Sequence, residues 1–241
     1  MTAPRFLPAG DAALVVEFGD RLDPLLNAQV LALDAALRDA PPAGVREMVP
    51  TLRSLLVHYD PDRTDAAALA AEVRERLPGT EARPVASGRR WRLPVCYGGT
   101  HGPDLDWVAE RVGRSADEVV QLHAGARYRA AMVGFLPGCA YLLGLPDALA
   151  LPRRSTPRTR VPRGAVGIAL SMSLVYPADS PGGWHLLGHC PVPLFDLRRS
   201  PAALIEAGDE IRFEPVDAAE IAAIDRALTA GDFDVTRECG R

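Results

Sequence analysis

Five arginines in the second half of the chain are the residues whose types and spacing could most readily perform chemistry. They lie within residues 153–163, where two prolines keep the segment from forming a helix: Arg153, Arg154, Arg158, Arg160 and Arg163. Guanidinium groups on such a stiffened loop can bind a carboxylate or a phosphate through paired hydrogen bonds. The alternative is a solvated basic loop that pairs with nearby acidic residues, since runs of charge are usually solvated faces. The spacing leaves both interpretations open.

A glycine-rich turn follows at residues 180–184, which have the sequence SPGGW. Proline sets the first dihedral angle of a type II turn, and the glycine after it permits the positive φ that this turn requires. Gly182 and Gly183 would also leave main-chain amides open to an anion, as in an anion-binding nest. The alternative is a plain hairpin turn in front of Trp184 in the core, and the sequence favours neither interpretation.

Two histidines, His185 and His189, are four residues apart and would share one face of an extended strand. A zinc site needs at least a third ligand, and none is identifiable nearby, so we predict polar strand residues and no metal site. The sequence contains no nucleophile elbow, no H-E-x-x-H, no Walker A loop and no G-x-G-x-x-G. The residues alone therefore predict an anion-binding groove on a β-rich domain and identify no catalytic residue.

The composition predicts a globular protein of two domains. The length of 241 residues exceeds one typical domain of about 100 to 200 residues. A net charge of -4 gives no general attraction for nucleic acid. The four cysteines lie too far apart for a zinc ribbon or a thioredoxin-like motif, which favours reduced thiols in the cytoplasm. No apolar run approaches the roughly 18 to 20 residues of a membrane span, and the N-terminus lacks the apolar core of a signal peptide.

The first ninety residues alternate between strand and helix patterns in the order βαββα. The strands are predicted at residues 12–18, 45–49 and 54–59, and the helices at residues 23–37 and 64–77. Asp23 and Pro24 are predicted to be the N-cap and the first position of the first helix. A closing strand at residues 91–96 would complete a ferredoxin-like unit, although that run could equally begin the next domain. The polar residues 80–90 are predicted to be a linker.

Short strands separated by glycine and proline turns dominate the second half, a pattern typical of a β-barrel or a sandwich. The strands are predicted at residues 129–135, 165–170, 172–176, 184–187 and 210–216. Three helices are predicted in this half. The first covers residues 106–112, the second begins at a capping box whose first residue is Ser115, and the third covers residues 217–228. The turn at residues 207–209 resembles a hairpin entry, and the tail from Gly231 is predicted to be loose.

Ordered sequence segments over almost the whole chain resemble one protein family. They include LPAGDAALVVEFGD at residues 7–20, VPTLRSLLVHYDP at 49–61, GFLPG at 134–138, TPRTRVP at 156–162 and SPGGW at 180–184. The family is that of the 5-oxoprolinase B subunits, also called allophanate hydrolase subunit 1 or sporulation-kinase inhibitor. It is related to part of the carboxyltransferase domain of urea carboxylase.

The resemblance implies an α+β protein with a ferredoxin-like domain at residues 1–85 and a cyclophilin-like β-barrel domain at residues 86–241. It implies two partners, homologues of the family's C and A subunits, which together with this chain would open 5-oxoproline to glutamate. That reaction would use ATP bound through the complex and not evidently by this chain. The groove would then hold a small lactam or amide. The candidate substrate-binding residues are Arg154, Arg158, Arg160, Gly182, Gly183, Trp184 and His189.

The chain departs from the family pattern where we expect a ligand to contact it. Many relatives have G-S-Q-T-G where residues 170–174 are LSMSL, so a glutamine amide is replaced by the thioether of Met172, a weak acceptor and no donor. His189 stands where the family usually has a permanently charged arginine. Two alternative functions therefore stay open. One is a non-catalytic inhibitor of a sensor histidine kinase, and the other is a carboxyltransferase-like part of a urea carboxylase-type system, which would need a separate biotin carrier.

Overall fold

The structure is a computed structural model that describes residues 3–80 and 88–240. The chain divides into two compact units, residues 1–87 and residues 88–241. Most of the predicted linker, at residues 81–87, lies outside the described residues. Within the described ranges, no helix is both long enough and apolar enough to cross a membrane.

The first unit is an antiparallel sheet of four strands packed against two helices. The strands are β1 (Arg5–Pro8), β2 (Ala13–Glu17), β3 (Val45–Pro50) and β4 (Ser54–Tyr59), in the spatial order β1-β2-β4-β3. The helices are α1 (Pro24–Asp39) and α2 (Ala66–Thr80). The Asp23 carboxylate accepts the backbone N–H of Leu25, and Pro24 lies in the first turn of α1. The predicted start of this helix is therefore confirmed.

Apolar side chains alternate along β4. Leu55, Val57 and Tyr59 are buried, and the residues between them are half-buried, as expected for a strand with one face on a core. The same core contains Leu33 and Leu37 of α1. Because this periodic burial is visible in the sequence, the three strands and two helices predicted for this unit are found close to their predicted positions.

The sequence pattern does not predict β1, which forms the sheet edge beside β2. Its four residues are mostly exposed, so they lack the alternation that a core imposes on a strand. The place beside β2 is filled from the N-terminal side, and residues 91–96 belong to the second unit instead. The ferredoxin-like topology, which needs a closing strand after the second helix, is not confirmed.

The described part of the second unit contains nine strands. They are β5 (Arg90–Tyr97), β6 (Tyr128–Val133), β7 (Ala140–Leu143), β8 (Arg158–Val161), β9 (Ala165–Ala169), β10 (Met172–Val175), β11 (Ser180–Gly182), β12 (His185–His189) and β13 (Glu210–Pro215). Seven of them close into a barrel in the order β10-β7-β6-β13-β5-β12-β9, while β8 pairs with β11 in a separate sheet. The chain is therefore of the α+β class, and its closed barrel is consistent with the cyclophilin-like barrel that the resemblance implies.

The strand β13 pairs with two strands that are distant in sequence. It runs parallel to β5, with Glu210 opposite Arg90, and antiparallel to β6, with Glu210 opposite Arg129. The turn at residues 207–209 therefore does not lead into a hairpin, and that prediction is wrong. Local turn chemistry identifies a change of direction, but it does not identify a partner strand more than a hundred residues away.

Four helices lie in the described part of the second unit: α3 (Leu105–Val112), α4 (Ala116–Gly125), α5 (Ala218–Ala230) and α6 (Val235–Cys239). A single 3-10 turn occupies Asp147–Leu149. The predicted capping box of α4 is confirmed, because Ser115 Oγ accepts the N–H of Glu118 and the Glu118 carboxylate accepts the N–H of Ser115.

The C-terminal tail is packed and not loose, so that prediction is wrong. Val235 and Cys239 of α6 are 9% and 2% exposed, and Gly240 forms an isolated bridge with Trp91 of β5. The two apolar residues are four positions apart and so lie on one face of the helical turn. These two core residues and the bridge to Trp91 pack the segment against the second unit, although the residues between Val235 and Cys239 are polar.

Candidate functional site

The arginine-rich segment begins as a loop and continues as β8. β8 pairs with β11 so that Arg158 lies opposite Gly182. Just before β8, the backbone N–H of Arg154 donates to the carbonyl of Gly183. The two features that the sequence analysis singled out, the arginines and the glycine-rich turn, therefore lie side by side.

A buried carboxylate, that of Asp104, holds two of the predicted arginines. Its Oδ1 lies 2.7 Å from Nη2 of Arg158 and 3.3 Å from Nη1 of Arg154. Its Oδ2 accepts the backbone N–H of Leu186 at 2.7 Å. Burial alone would raise the pKa of Asp104, but the hydrogen bonds from Arg158 and Leu186 and the two arginine charges outweigh it, so this pKa lies below its usual value. Asp104 is therefore ionised at neutral pH and neutralises part of the arginine charge.

Sequence reasoning missed Asp104. The residue stands at the N-cap position of α3, but its side chain forms no capping hydrogen bond because it is occupied by the arginines. Nothing in the local sequence GPDLDW distinguishes it from the exposed Asp106 two positions later. The sequence evidence for an acidic partner lies in Arg154 and Arg158, about fifty residues further on, because partly buried arginines need a counter-charge.

Arg160 lies on the solvated surface and not with the other two arginines. Its Nη2 is 2.7 Å from Oδ2 of Asp179, and its side chain is 79% exposed. Asp179 also accepts the backbone N–H of Arg163. This arrangement matches the alternative of a solvated basic residue paired with an acid. A substrate-binding role for Arg160 stays a prediction.

A cleft of 660 Å³ opens between α3 and the loop that carries Arg153 and Arg154. Its volume is in the range of small-molecule sites, about 300 to 1,000 Å³. The charged side chains on its wall are Glu110, Arg111, Arg153 and Arg154, so positive charge exceeds negative charge. In the part of the chain that the structure describes, Arg111 and Arg153 form no ion pair. The cleft can therefore attract an anion.

The cleft has an aromatic wall formed by Trp107 and His185. Their rings are stacked, with centroids 4.7 Å apart and planes 14° apart. Trp107 is 48% exposed, whereas His185 is 3% exposed. His185 Nε2 lies 2.9 Å from the carbonyl oxygen of Pro152. Among the described residues, His185 Nδ1 and Arg154 Nε are buried without a hydrogen-bond partner.

Trp184 supports this cleft from the barrel core. It is 4% exposed, and the guanidinium carbon of Arg153 lies 5.9 Å from the centroid of its ring. On another side its ring meets the ring of Tyr141 edge-on. Trp184 therefore positions Arg153 and does not line the cleft itself.

The type II turn predicted at residues 180–184 is wrong, because neither Gly182 nor Gly183 has a positive φ. A different constraint acts on Gly182: a Cβ at this position would collide with the hydroxyl of Tyr176. The same hydroxyl accepts the backbone N–H of Trp184. The main-chain groups here hold the local structure together, and the anion-nest interpretation loses its basis.

His189 lies apart from His185, and the prediction that the two share one face is wrong. A register shift between Leu186 and Gly188 adds one residue to β12, which interrupts the alternation of faces. The His189 ring lies beside that of His101, with centroids 5.6 Å apart, and burial is the main cause that lowers the pKa of His189. Within residues 3–80 and 88–240, no group of three or more His, Cys, Asp or Glu residues could hold a metal ion.

Residues 170–174, where the chain departs from the family pattern, belong mainly to the barrel core. Leu170 and Ser171 form the two-residue turn between β9 and β10, and Leu170 has a φ of 55°. Met172 and Leu174 are each 2% exposed. Neither residue lines the cleft beside Arg153 and Arg154, and the expectation that a ligand contacts them stays a prediction. The exchange of a glutamine for Met172 changes the packing of the barrel and not the wall of the cleft.

A polar cluster inside the barrel was not found by sequence reasoning. His123 Nδ1 lies 2.8 Å from Tyr97 Oη, and His123 Nε2 lies 2.9 Å from Ser173 Oγ. His123 and Ser173 are both 0% exposed, and neither lines the cleft beside Arg153 and Arg154. Because the Ser173 hydroxyl donates to the carbonyl of Gly167, its oxygen accepts from Nε2–H, the reverse of what a general base needs. Burial also lowers the pKa of His123 to about 3, so the ring is neutral.

A larger cleft of 1380 Å³ lies between residues 191–199 and the segment that contains α5 and α6. Its Arg199 already donates to three backbone carbonyls, and its Arg198 pairs with Asp196 at 2.8 Å. Since these charged groups are paired with one another or with the backbone, the smaller cleft is the better candidate for a charged small molecule.

Comparison with known proteins relates the chain to one family. It matches the carboxyltransferase domain, subdomain C and D, over residues 4–205. It is 36% identical over 214 residues to the 5-oxoprolinase B subunit of Bacillus subtilis, which covers 85% of this chain and 89% of that protein. It is 37% identical over 209 residues to the 5-oxoprolinase B subunit of Escherichia coli O157:H7, which covers 86% of this chain and 93% of that protein.

Solved structures show the same relationship. The crystal structure of TTHA0988 has a TM-score of 0.75 at 36% identity, and the match covers 86% of this chain but 40% of that chain. The match therefore spans about two fifths of the length of TTHA0988. The urea amidolyase of K. lactis has a TM-score of 0.80 at 20% identity and is matched over 16% of its chain. At that identity the likeness concerns the fold alone.

Proposed function

This chain belongs to the carboxyltransferase subdomain C and D family, and on that premise we propose that it is the B subunit of a 5-oxoprolinase-type enzyme. The observation that carries the proposal is its identity of 36% and 37% to two proteins named as B subunits of 5-oxoprolinase. Each match extends along most of both sequences. The cationic cleft agrees with the proposal, because 5-oxoproline carries one carboxylate.

In the proposed reaction, water adds to the lactam carbonyl of 5-oxoproline and the ring C–N bond breaks. The products are the new carboxylate and the free amine of glutamate, and hydrolysis of ATP drives the reaction. The role of this chain is to hold the carboxylate of the substrate. Guanidinium groups suit that role because they donate two parallel hydrogen bonds to a carboxylate.

The groups that break the C–N bond are proposed to come from the partner chains, homologues of the C and A subunits. Among the described residues, the one serine-histidine pair that resembles a nucleophile and base, Ser173 with His123, is buried in the barrel. Burial raises the pKa of Cys139 and of Cys190 to about 12, so neither thiol is a ready nucleophile. The sequence has no Walker A loop, and we propose that ATP binds elsewhere in the complex.

Reconstitution tests the proposal. The chain is co-expressed with the homologues of the C and A subunits from its own host, and the purified complex is supplied with 5-oxoproline and ATP. We expect glutamate release that depends on ATP and on this chain, with the complex that lacks this chain as the control. Failure of an assembled three-part complex to release glutamate would contradict the assignment.

The two alternative functions stay predictions. The likeness to urea amidolyase is below 25% identity in sequence and in structure, so it supports a carboxyltransferase-like role only distantly. Inhibition of a sensor histidine kinase and a cytoplasmic location are likewise expectations from the sequence. In the reconstitution above, an inactive complex that still inhibits a purified kinase would favour the inhibitor.

A further inference from the structure

The buried ring of His185 has one nitrogen that lacks a partner among the described residues, and the contact of the other nitrogen identifies the tautomer. Nε2 lies 2.9 Å from the carbonyl oxygen of Pro152, and a carbonyl can only accept, so Nε2 carries the hydrogen. In the neutral ring Nδ1 is then a bare acceptor. Nδ1 is buried without a hydrogen-bond partner in the described part of the chain, although buried polar atoms are nearly always paired. His185 lines the cleft, so a ligand that brings a donor into the cleft would supply the missing bond.

Arg154 has the opposite requirement on the same cleft. Its Nη1 points to Asp104 at 3.3 Å, while its Nε–H is buried and has no acceptor among the residues that the structure describes. The guanidinium groups of Arg111 and Arg153 add positive charge to the same cleft. A carboxylate can accept two parallel hydrogen bonds from one guanidinium edge. The lining of the cleft therefore contains one buried donor and one buried acceptor without partners among the described residues, and a ligand that satisfies both needs a negatively charged acceptor and a donor.

A small carboxylate with an N–H or O–H on the neighbouring carbon meets both requirements in one molecule, because the carboxylate supplies the acceptor and the N–H or O–H supplies the donor. One face of the Trp107 ring is stacked on His185 and the side chain is 48% exposed, so the indole also offers apolar surface to a small flat ring.

We propose that the cleft formed by Trp107, Arg153, Arg154 and His185 binds a small carboxylate with an adjacent N–H or O–H donor, and that His185 Nδ1 accepts this donor. The choice of 5-oxoproline as the ligand rests on the proposed function. Its carboxylate binds the arginines, and its lactam N–H donates to His185. His185 thereby selects for the intact lactam N–H.

The first test is calorimetric titration of the full chain with three compounds. 5-Oxoproline has both groups, N-methyl-5-oxoproline lacks the donor, and 2-pyrrolidinone lacks the carboxylate. We expect each of the two analogues to bind about tenfold more weakly or worse, since each loses one hydrogen-bonded contact. Tryptophan fluorescence gives a second readout, because Trp107 is the exposed one of the three tryptophans while Trp91 and Trp184 are 2% and 4% exposed.

The second test uses variants. His185→Phe keeps an aromatic ring against Trp107 but removes the acceptor, so it is expected to weaken 5-oxoproline about tenfold and to leave N-methyl-5-oxoproline unchanged. Arg153→Ala, at an exposed position, is expected to weaken both ligands. The matched control is Arg226→Ala, at an exposed position of α5 outside the cleft, which should change neither. Thermal melts show whether the His185→Phe variant is folded. If that variant does not fold, the affinities of the Arg153→Ala variant still test the site.

The third test separates this site from the proposed function. In an active reconstituted complex, Arg153→Ala is expected to raise the KM for 5-oxoproline about tenfold and to leave the KM for ATP unchanged. If the complex is active and the KM for 5-oxoproline changes neither in Arg153→Ala nor in His185→Phe, the proposed site is wrong and the proposed function stands. A chain that discriminates between 5-oxoproline and its N-methyl analogue, in a complex without turnover, supports the site and contradicts the function. Equal binding of the two compounds, or binding of neither by chain or complex, overturns the proposal.

Discussion

Oδ1 of Asp104 lies 2.7 Å from Nη2 of Arg158, and this ion pair connects the beginning of α3 to β8. The Asp104→Asn change keeps the shape of the side chain but removes the charge that Arg158 and Arg154 share. We expect a loss of about 2 to 4 kcal/mol in the free energy of unfolding, because partly buried guanidinium groups are left without a counter-charge. Urea unfolding at pH 7 measures it. Asp179→Asn, in the exposed pair with Arg160, is the control and should change stability little.

Replacement by alanine is expected to lower the stability of the protein at Arg158 and the affinity for a carboxylate at Arg153. Arg158→Ala leaves the buried Asp104 with its weaker contact to Arg154, so we expect a loss of about 2 kcal/mol in stability. Arg153→Ala removes an exposed side chain without an ion pair, so its stability should be almost unchanged while affinity for the carboxylate falls. Thermal melts beside ligand titrations of both variants check this. Equal melting temperatures of the two variants would contradict the assignment of Arg158 to structure.

His123 should make the stability of the protein depend on pH between about 6.5 and 3. Its pKa in the folded protein is about 3, against 6.5 for the ordinary side chain. Below pH 6.5 the unfolded chain therefore takes up a proton that the folded chain does not, so stability is complete above this pH and falls as the pH falls. The slope is about 1.4 kcal/mol per pH unit, or about 2 kcal/mol between pH 7 and pH 5.

Urea unfolding of the wild type and of His123→Gln at both pH values isolates this effect. The variant loses hydrogen bonds to Tyr97 and Ser173 and is less stable throughout. Its decrease between pH 7 and pH 5 should nevertheless be smaller than that of the wild type by about 2 kcal/mol. Equal decreases would show that His123 takes up its proton at about the same pH in the folded and the unfolded chain.

Leu170 is expected to be a site where glycine stabilises the protein. Its φ of 55° places a branched side chain in the left-handed region, at a strain of about 1 to 2 kcal/mol that glycine avoids. After the greater entropy of glycine in the unfolded chain is subtracted, Leu170→Gly should raise stability by about 0.5 to 1 kcal/mol. The control is Ser171→Gly, one position later and without a positive φ, which should lower it. Thermal melts that show the same sign for both would refute the strain.

Gly182 and Gly183 are adjacent glycines without positive φ. A loss of stability on replacement by alanine at only one of them would therefore come from a steric clash and not from backbone conformation. A Cβ at Gly182 would collide with the Tyr176 hydroxyl, whereas the nearest atom to a Cβ at Gly183 is 3.7 Å away. We expect Gly182→Ala to lower stability by about 1 to 3 kcal/mol and Gly183→Ala to have little effect. Differential scanning calorimetry of the two variants decides the matter, and similar melting temperatures would argue against the close approach.

The sequence predicted those elements whose causes are local. The capping box of Ser115 and Glu118 and the N-cap at Asp23 depend on residues within a few positions of each other. The alternating burial of β4 likewise follows from a period that is visible in six residues. The barrel order was beyond such reasoning, since β13 pairs with β5 and β6, and nothing in a strand identifies its neighbour.

The candidate site shows the same limit. Arginine clustering indicated the right region of the chain, but it did not show which guanidinium groups would be bound by acids. That outcome depends on Asp104 and Asp179, which arrive from other elements. The sequence singled out His185 only as a possible pair with His189, and the stacking of Trp107 on His185 had no signal, because it exists only when α3 and β12 meet in the folded protein.

The parallel pairing of β5 with β13 also bears on how the protein is made. β13 supplies the neighbour of both β5 and β6, so until residue 215 has left the ribosome these two strands have open edges that face each other across a gap. The first unit has its sheet complete once β4 has been synthesised. We therefore expect the nascent chain to carry a complete first sheet and an unclosed barrel from the synthesis of β6 until that of β13. Open strand edges invite pairing with other chains, and this interval is when the protein is most exposed to aggregation.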